Sequence, residues 1–344
     1  MQQILNTLYV MTPNSYLHLE GETLRLDVEK EKKLQVPIHH LGSVVCFGDV
    51  MVSPAAMSKC AETGKSIVFL DRNGRFKARL EGAVSGNILL RLAQYRSADK
   101  ENVALDISRS IVAGKIKNSR QVLMRAARET SQPDDEILLD KNVAWLLRAV
   151  TELKSCTNIE QVRGIEGEAA KNYFSCIDLL VRPDIRHHFR MNGRTKHPPM
   201  DRFNALLSFI YTLLTNDCRS GLESVGLDPQ LGFLHVARPG RASLALDLVE
   251  EFRAFIADRL ALSLVNRGQL KEDDFVERPG GSVYLKDESR KTVIVAYQNR
   301  KQEEITHPLL DRKVPIGLLP HLQARLLAKA IRGDIEGYVP FLNK

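Results

Sequence analysis

Apolar and polar positions alternate over the first part of the chain. The segments LNTLYVM, YLHLEG and TLRLDVEK are short, alternating or β-branched, and separated by turn residues. In KSIVFLDRNGRFKARLEG the alternation continues on both sides of Asn73-Gly74, which predicts a hairpin. Between them, VSPAAMSKCAETG reads as one short helix, with Ser53 as N-cap, Pro54 at the first position and Gly64 as C-cap. Residues 1–84 are therefore predicted to form a small β-rich domain.

The period of the apolar positions changes near residue 85. In ILLRLAQYRSA, ENVALDISRSIVAGKIKNSRQVLMRAARE and EILLDKNVAWLLRAVTELKSC, apolar residues recur every three or four positions, as in amphipathic helices. Residues 85–100 are expected to form a linker and first helix, and residues 101–344 a larger, mostly α-helical domain. The predicted fold class is thus α+β, with the small β-domain first.

Composition narrows the class of protein without identifying it. The 344 residues are 44% apolar, enough for two domains, and the net charge of +7 is compatible with a polyanionic partner. The five cysteines are scattered and lack a CxxC pair, which argues against a disulfide framework or a zinc knuckle and favours a reducing cytoplasm. No apolar run approaches the ~18 residues of a membrane span.

One acidic residue interrupts an apolar helix face. In NIEQVRGIEGEAAKNYFSCIDLL, apolar residues at helical spacing share a face, and Glu166 lies in its middle, with Gly164 and Gly167 leaving room for close approach. Burying a lone carboxylate is costly unless a cation or hydrogen bonds compensate. Two interpretations stay open. Glu166 forms a buried salt bridge, to Arg163 or another arginine, or it serves metal binding or catalysis.

A histidine and further acids occur in GFLHVARPGRASLALDLVEEFR. Asp247 and Glu250 are three residues apart and share a helical face with Glu251 and Asp258, opposite apolar residues. This pattern favours a solvated acidic face and a packed or hydrogen-bonded His235. If that face lined a cleft instead, a carboxylate, an imidazole and a second carboxylate could bind a divalent ion. Spacing alone cannot bring the histidine to the earlier glutamate.

A basic loop precedes an apolar helix that carries a polar ridge. The loop, VRPDIRHHFRMNGRTKHPPMDR, suits phosphate contacts and equally suits a solvated surface. In the helix, Asn204, Ser208 and Tyr211 lie at i, i+4 and i+7, which favours a hydrogen-bonded seam between helices. The candidate residues for phosphate contacts, and for DNA binding if the polyanion is a nucleic acid, are Arg163, Arg182, Arg186, Arg190, Arg194, Lys196 and Arg238.

Together these segments resemble the CRISPR-associated adaptation endonuclease, or Cas-one, family of spacer integrases. LNTLYVMTPNSYLHLEGETLRL, VPIHHLGSVVCFG, VRGIEGEAAKNYF, FNALLSFIYTLL and GFLHVARPGRASLALDLVEEFR occur in the family's order over nearly the whole chain. The opening segment and the length are most similar to subtype I-C. The resemblance implies an N-terminal β-domain for dimerisation and partner contact, and a helical catalytic domain with one divalent-metal site.

The resemblance also implies which residues meet at that site. Glu166, His235 and Glu250 match the family's ligands for Mg²⁺ or Mn²⁺, and Asp247 matches the acid that precedes the last of them. Glu250 is the favoured direct ligand, with Asp247 behind it or bound through water. Asn204 and Tyr211 match positions near the active centre.

The implied activity is strand transfer on DNA. A DNA 3′-hydroxyl attacks a phosphodiester of the CRISPR repeat array, which inserts a captured double-stranded fragment as a new spacer, and with water as nucleophile the same site acts as a nuclease. The implied partners are DNA, a second copy of the chain and the small ferredoxin-like Cas-two protein, with no membrane involved. The alternative is a non-catalytic nucleic-acid-binding protein; a hydrolase of small phosphoesters is disfavoured because no GxxxxGK[ST] motif is present.

Overall fold

The computed structural model describes residues 6–72, 74, 76–80, 82–83, 88–196 and 198–343. The chain divides into two compact units, Met1–Ser85 and Gly86–Lys344. Strands dominate the first unit and helices the second, so the predicted α+β class is confirmed. Asn73, predicted to start the hairpin turn, lies outside the described residues.

Two four-stranded sheets form the first unit. Its elements are β1 (Asn6–Val10), β2 (Ser15–Glu20), β3 (Thr23–Val28), β4 (Glu31–Pro37), β5 (Leu41–Phe47), β6 (Val50–Val52), α1 (Pro54–Glu62), β7 (Ser66–Leu70) and β8 (Phe76–Leu80). One sheet has the order β4-β3-β2-β6, and the other has the order β1-β5-β7-β8. Alternate strand positions bury apolar side chains such as Leu17, Leu24 and Ile67 in a shared core.

Two local signals of the first unit hold in the structure, whereas the C-cap of α1 is Thr63 and the predicted C-cap Gly64 follows it with a φ of 68°. Ser53 Oγ accepts a hydrogen bond from the Ala56 backbone N–H at 3.1 Å, so Ser53 is the N-cap of α1. Strands β7 and β8 pair antiparallel, as the hairpin pattern predicts.

The second unit is mostly helical. Its elements are α2 (Ile88–Ala98), α3 (Glu101–Glu129), α4 (Pro133–Glu152), α5 (Ile159–Phe174), α6 (Arg202–Val225), α7 (Ser243–Glu250), a π-helix (Arg253–Asp258), α8 (Arg259–Asn266), β9 (Phe275–Glu277), β10 (Val283–Leu285), α9 (Asp287–Gln302), β11 (Glu304–His307), β12 (Arg312–Pro315) and α10 (Leu319–Arg332). Two short hairpins, β9–β10 and β11–β12, interrupt the helical pattern. Among the described helices, none is both long enough and apolar enough to span a bilayer.

Helix α7 is covered on every side, and this corrects one prediction. Helices α3, α6 and α10 all contact it. The acids predicted to form a solvated face are therefore buried, with exposed fractions of 3% or less: Asp247, Glu250, Glu251 and Asp258. A helical wheel shows which face of a helix is apolar and which is acidic. It does not show that neighbouring helices bury the acidic face by providing cations and hydrogen-bond donors.

Candidate active site

Four stretches of chain bring charged residues together in the second unit. Lys115 belongs to α3, Glu166 to α5 and Glu250 to α7, and His235 lies in the loop before α7. Lys115 Nζ forms an ion pair with Glu166 Oε1 and lies 2.7 Å from Glu250 Oε2, and His235 Nε2 lies 3.9 Å from Glu250 Oε1. The two glutamates that the resemblance groups thus share one lysine ammonium, and the third residue, His235, lies beside Glu250. We call these four residues the carboxylate cluster.

Asp247 fixes the loop that carries His235. Its buried carboxylate accepts hydrogen bonds from the backbone N–H groups of Phe233 (2.6 Å), Leu234 (3.1 Å) and His235 (2.9 Å). A Cβ at Gly232 would lie 2.6 Å from the same carboxylate and 2.8 Å from the α7 backbone. Only glycine therefore lets the loop approach the helix this closely.

The same carboxylate orients the imidazole. His235 Nδ1 lies 2.6 Å from Asp247 Oδ1. Because a carboxylate accepts, this contact assigns the proton to Nδ1 and leaves the lone pair on Nε2, on the side of Glu250. A carboxylate in this position supports a metal-binding histidine from behind.

Glu250 is a buried carboxylate held by two cations. Its oxygens lie 2.7 Å from Lys115 Nζ and 3.0 Å from Arg253 Nη2. Burial opposes ionisation, but the charges of Arg253 and Lys115 lower the pKa of Glu250 to about 2. Glu250 is therefore ionised at neutral pH.

Lys115 supplies the positive charge between the two glutamates. Burial favours its neutral form, but Glu250 and Glu166 outweigh burial and raise the pKa of Lys115. In the part of the chain that the structure describes, no three His, Cys, Asp or Glu side chains are grouped as a metal site. The ammonium therefore neutralises the carboxylates in this arrangement.

The donors of the cluster nevertheless suit a hard divalent cation. Glu250 Oε2 is buried and makes no aligned hydrogen bond to any described residue, although it lies in ion-pair range of Lys115. Space is open beside Glu166, because a Cβ added at Gly164 or Gly167 would meet no atom of another element within 4 Å. Two carboxylates and one imidazole nitrogen are ligands that Mg²⁺ and Mn²⁺ accept. The donor set fits such an ion.

A π-helix begins just after Glu250 and places Arg253 beside it. The Arg253 guanidinium carbon lies 4.6 Å from the centre of the Tyr211 ring, and Tyr211 donates a hydrogen bond to Asp258 Oδ1 at 2.6 Å. Burial raises the pKa of Asp258 to about 6. Short π-helices occur frequently at functional sites. Tyr211 thus contacts Arg253, and Arg253 in turn pairs with Glu250 of the carboxylate cluster.

The polar ridge of α6 holds the basic loop. Arg194 donates hydrogen bonds to Asn204 Oδ1 (2.6 Å) and Ser208 Oγ (3.1 Å), and its guanidinium carbon lies 5.2 Å from the centre of the Tyr211 ring. The predicted seam between helices is confirmed for Tyr211, which hydrogen-bonds to Asp258 of the π-helix. Asn204 and Ser208 instead bind the basic loop, because the loop returns across α6 and places the Arg194 guanidinium against them.

Some predicted DNA-binding residues already have partners within the chain. Arg186 makes two hydrogen bonds to the buried Asp135 carboxylate, at 2.6 and 3.3 Å. Arg163 Nε donates to the Leu234 carbonyl at 2.7 Å and so ties α5 to the loop of His235. Arg182 pairs with an adjacent aspartate and donates to the last carbonyl of α8. These contacts give each arginine a structural role, and their DNA contacts stay a prediction.

Other predicted DNA-binding residues present their charge to solvent. Arg190, Lys196 and Arg238 are exposed, and none has a side-chain partner among the described residues. Desolvation and the neighbouring charge of Arg253 lower the pKa of Lys196, although much of its side chain is open to solvent. Lys196 therefore lies close enough to the carboxylate cluster to be affected by its charges.

The sequence interpretation missed Lys115 and Arg253. Lys115 occupies a buried position of α3, four residues after the buried Ile111 and seven before the buried Val122. It thus interrupts an apolar face, which is the same signal that singled out Glu166. Arg253 had no such signal, because the change from α-helix to π-helix alters the spacing from which a face is read.

Comparison with known proteins agrees with this architecture. The family model described as CRISPR associated protein Cas1 matches residues 8–299. A protein of Moorella thermoacetica, named CRISPR-associated endonuclease Cas1 1, is 55% identical over 344 residues, which cover 100% of both chains.

Two solved structures share the fold. A chain of a Cas6-RT-Cas1–Cas2 complex has a TM-score of 0.85 and 22% identity, covering 100% of this chain and 37% of that one. A casposase bound to an integration product has a TM-score of 0.83 and 21% identity, covering 97% of this chain and 93% of that one. At these identities the likeness concerns the fold alone, a strand-rich unit followed by a helical unit. The family model and the relative of 55% identity show that the chain belongs to the Cas1 family.

Proposed function

We propose that this chain is a divalent-metal-dependent DNA integrase and endonuclease of CRISPR adaptation. The observation that carries the proposal is the pairing of Glu166 and Glu250 with one buried lysine, with His235 Nε2 on the side of Glu250. The relative's name, an endonuclease at 55% identity over the full length, supports the same activity.

In this proposal Glu166, Glu250 and His235 Nε2 would hold Mg²⁺ or Mn²⁺. The ion would polarise the scissile phosphate and stabilise the charge on the attacking or leaving oxygen. Asp247 accepts a hydrogen bond from His235 Nδ1, which leaves Nε2 of the ring free. The Asp247 oxygens also accept from three backbone N–H groups, so they are occupied within the protein. Asp247 therefore acts as a positioning residue.

The chain's own cations set the charge of the two glutamates. Arg253 keeps Glu250 ionised, and Lys115 balances the two carboxylates in the absence of another cation. The reaction needs no covalent enzyme intermediate, since a DNA 3′-hydroxyl attacks the phosphodiester directly and the displaced strand leaves with its own 3′-oxygen. Asn204 holds Arg194 near this centre, and Tyr211 supports Arg253.

The finer assignments belong to the same proposal. The partners are double-stranded DNA fragments, the CRISPR repeat array, a second copy of the chain and Cas2. A structurally similar chain belongs to a Cas6-RT-Cas1–Cas2 complex, and a similar casposase is bound to an integration product. Subtype I-C and a cytoplasmic location are part of the same proposal, supported by the similarity of the opening segment and by the scattered spacing of the five cysteines.

The test is strand transfer of labelled DNA in Mn²⁺ by Glu166→Gln and His235→Asn. Each should lose on the order of 10³-fold or more in rate, because the loss of an ion that stabilises developing charge removes several kcal/mol. Glu168→Gln is the matched control, since Glu168 is an exposed residue of the same helix. DNA affinity should stay near that of the wild type in all three variants.

The outcome also separates the alternative function. A non-catalytic nucleic-acid-binding protein would bind DNA with no strand transfer or cleavage in any metal. Near-normal strand transfer by Glu166→Gln would contradict the assigned mechanism. The ion pair between Glu166 and Lys115 would then be a structural contact only.

A further inference from the structure

A basic cleft with a volume of about 650 Å³ lies in the second unit and shares no lining residue with the carboxylate cluster. Its walls come from the last turns of α3, the turn that follows, the segment after α5, and α8. One acidic side chain, Glu129, faces it. We call it the arginine cleft after the six arginines that line it: Arg125, Arg128, Arg182, Arg186, Arg259 and Arg267.

Positive charge outweighs negative charge along the cleft. Arg125, Arg182 and Arg186 each form an ion pair with an acidic neighbour. Arg259 has the acidic charges of Glu303 and Glu129 near it, and Arg128 and Arg267 are exposed. With six arginines and one glutamate among its lining residues, the described cleft is positively charged.

Helix stabilisation accounts for only part of this charge. Cations near a helix C-terminus interact favourably with its carbonyl end, which explains Arg128 in the last turn of α3 and Arg267 just after α8. Arg259 lies seven residues before the end of α8 and gains nothing from that effect. Desolvation and the charges of Arg300 and Arg125 lower the pKa of Arg259, and these effects outweigh the opposite effect of Glu303 and Glu129. Like charges held together in this way favour a bound anion.

The cleft and the carboxylate cluster lie on the same helix. Arg128 follows Lys115 by 13 residues of α3, which is about 20 Å at 1.5 Å per residue. That length equals about six base pairs of duplex at 3.4 Å each. Strand transfer joins two DNA segments, so the enzyme must hold backbone away from the reacting phosphate as well as at it.

We infer that the arginine cleft binds the phosphate backbone of DNA, at a second place separate from the carboxylate cluster. That the bound polyanion is DNA rests on the proposed function. That the cleft binds a polyanion at all rests on the positive charge of its lining residues. Uncharged lining residues such as Ser131, Gln132 and Asn266 offer additional hydrogen-bond donors to phosphate oxygens.

The first experiment compares two triple variants of equal charge in DNA-binding titrations at several salt concentrations. The cleft variant is Arg128→Ala/Arg259→Ala/Arg267→Ala, and the control is Arg148→Ala/Arg312→Ala/Arg325→Ala, at exposed arginines outside the cleft. Each lost duplex phosphate contact lowers the slope of log affinity against log salt by about 0.9, so the cleft variant should lose about 2 to 3 in slope. Its affinity at 0.1 M salt should fall on the order of 10²-fold. An equal change in both variants, or none in the cleft variant, would overturn the inference.

The second experiment keeps every arginine. Ser131→Cys carries a photoactivatable thiol label, which enters at this position because the native cysteines are buried. Irradiation should cross-link the label to duplex DNA. Binding of inorganic tripolyphosphate at the cleft without a cross-link to DNA would assign the cleft to free polyphosphates and overturn the inference. Strand transfer by the wild type, measured in parallel, tests the proposed function separately, since its absence leaves the cross-link result unaffected.

Discussion

Glu250 and Glu251 are neighbours in sequence, are both buried, and have opposite surroundings. Glu250 faces Arg253 and Lys115, which overcome burial and lower its pKa to about 2. Among the described residues, the groups that donate hydrogen bonds to Glu251 are neutral and include Gln323 Nε2 (3.0 Å) and the Phe341 N–H (2.7 Å). Burial raises its pKa to about 7, although these hydrogen bonds act in the opposite direction.

The difference shows that burial alone does not mark a candidate metal ligand. Glu250 is kept charged by cations from α3 and from the π-helix, so it is ready to bind another cation. Glu251 ties the C-terminal segment to α7, and Asn118 strengthens this by donating to the Glu251 carbonyl (2.8 Å) and the Phe341 carbonyl (2.9 Å). One residue serves the proposed chemistry, and the next holds the fold.

The sharpest way to break this comparison is to neutralise each glutamate in turn. Glu250→Gln should reduce strand transfer on the order of 10³-fold or more, because it removes a charged ligand. Glu251→Gln should change the rate by no more than about threefold, since it alters no charge in the cluster. Equal losses in a single-turnover assay would mean that the two acids act as one structural unit.

Removing the lysine between the glutamates should destabilise the metal-free protein. Lys115→Met leaves two carboxylates without a counter-charge, which should lower the free energy of unfolding by about 3 to 5 kcal/mol. Mn²⁺ should then raise the melting temperature of the variant by more than it raises that of the wild type, because no ammonium competes for the site. Lys117→Met, at an exposed position of the same helix, is the control. A smaller Mn²⁺ effect in Lys115→Met would show that the lysine assists metal binding.

The raised pKa of Glu251 predicts how stability depends on pH. The folded protein retains this proton up to about pH 7, and the unfolded chain releases it near the ordinary value of 4.5. The associated stability is therefore present below about pH 4.5 and is lost as the pH rises through 7, a change of roughly 3 kcal/mol. Urea unfolding between pH 5 and 8 should show a shallower decline for Glu251→Gln than for the wild type. Parallel declines would mean that Glu251 is already ionised in the folded state.

The smallest expected effect is a difference in stability between variants of two arginines of the basic loop. Arg186→Ala should lower the free energy of unfolding by about 1 to 3 kcal/mol, because the buried Asp135 carboxylate loses its partner. Arg190→Ala should leave stability within about 0.5 kcal/mol of the wild type, since Arg190 is exposed. Thermal melts of both variants make the comparison. A stable Arg186→Ala would return Arg186 to the set of residues available to DNA.

The order of elements was readable from the sequence because each part depends on local periodicity. The change from alternation to a three-to-four spacing distinguishes β8 from α2 and α3, and the cap at Ser53 is a contact between residues three apart. The end of α5 at Phe174 and the π-helix were not readable. Both depend on how these segments pack against other helices.

The candidate site was only partly readable, because its residues come from distant stretches. Glu166 stood out by interrupting an apolar face, but nothing in the spacing indicates that its partner is Lys115, 51 residues earlier. The grouping with His235 and Glu250 came from the family resemblance. The wheel around α7 misled because an acidic face can be buried when other helices provide its partners, and those partners are invisible to a local pattern.

The most direct test of the central claim is a crystal of the protein soaked with Mn²⁺ and measured at the manganese absorption edge. The account predicts one anomalous peak in the second unit, with Glu166, Glu250 and His235 Nε2 at ligand distances of about 2.0 to 2.6 Å. Asp247 should remain on His235 Nδ1, and the Lys115 ammonium should have left its place between the glutamates. A peak elsewhere, or an unchanged Lys115 with no peak beside it at saturating Mn²⁺, would contradict the assignment of the metal site.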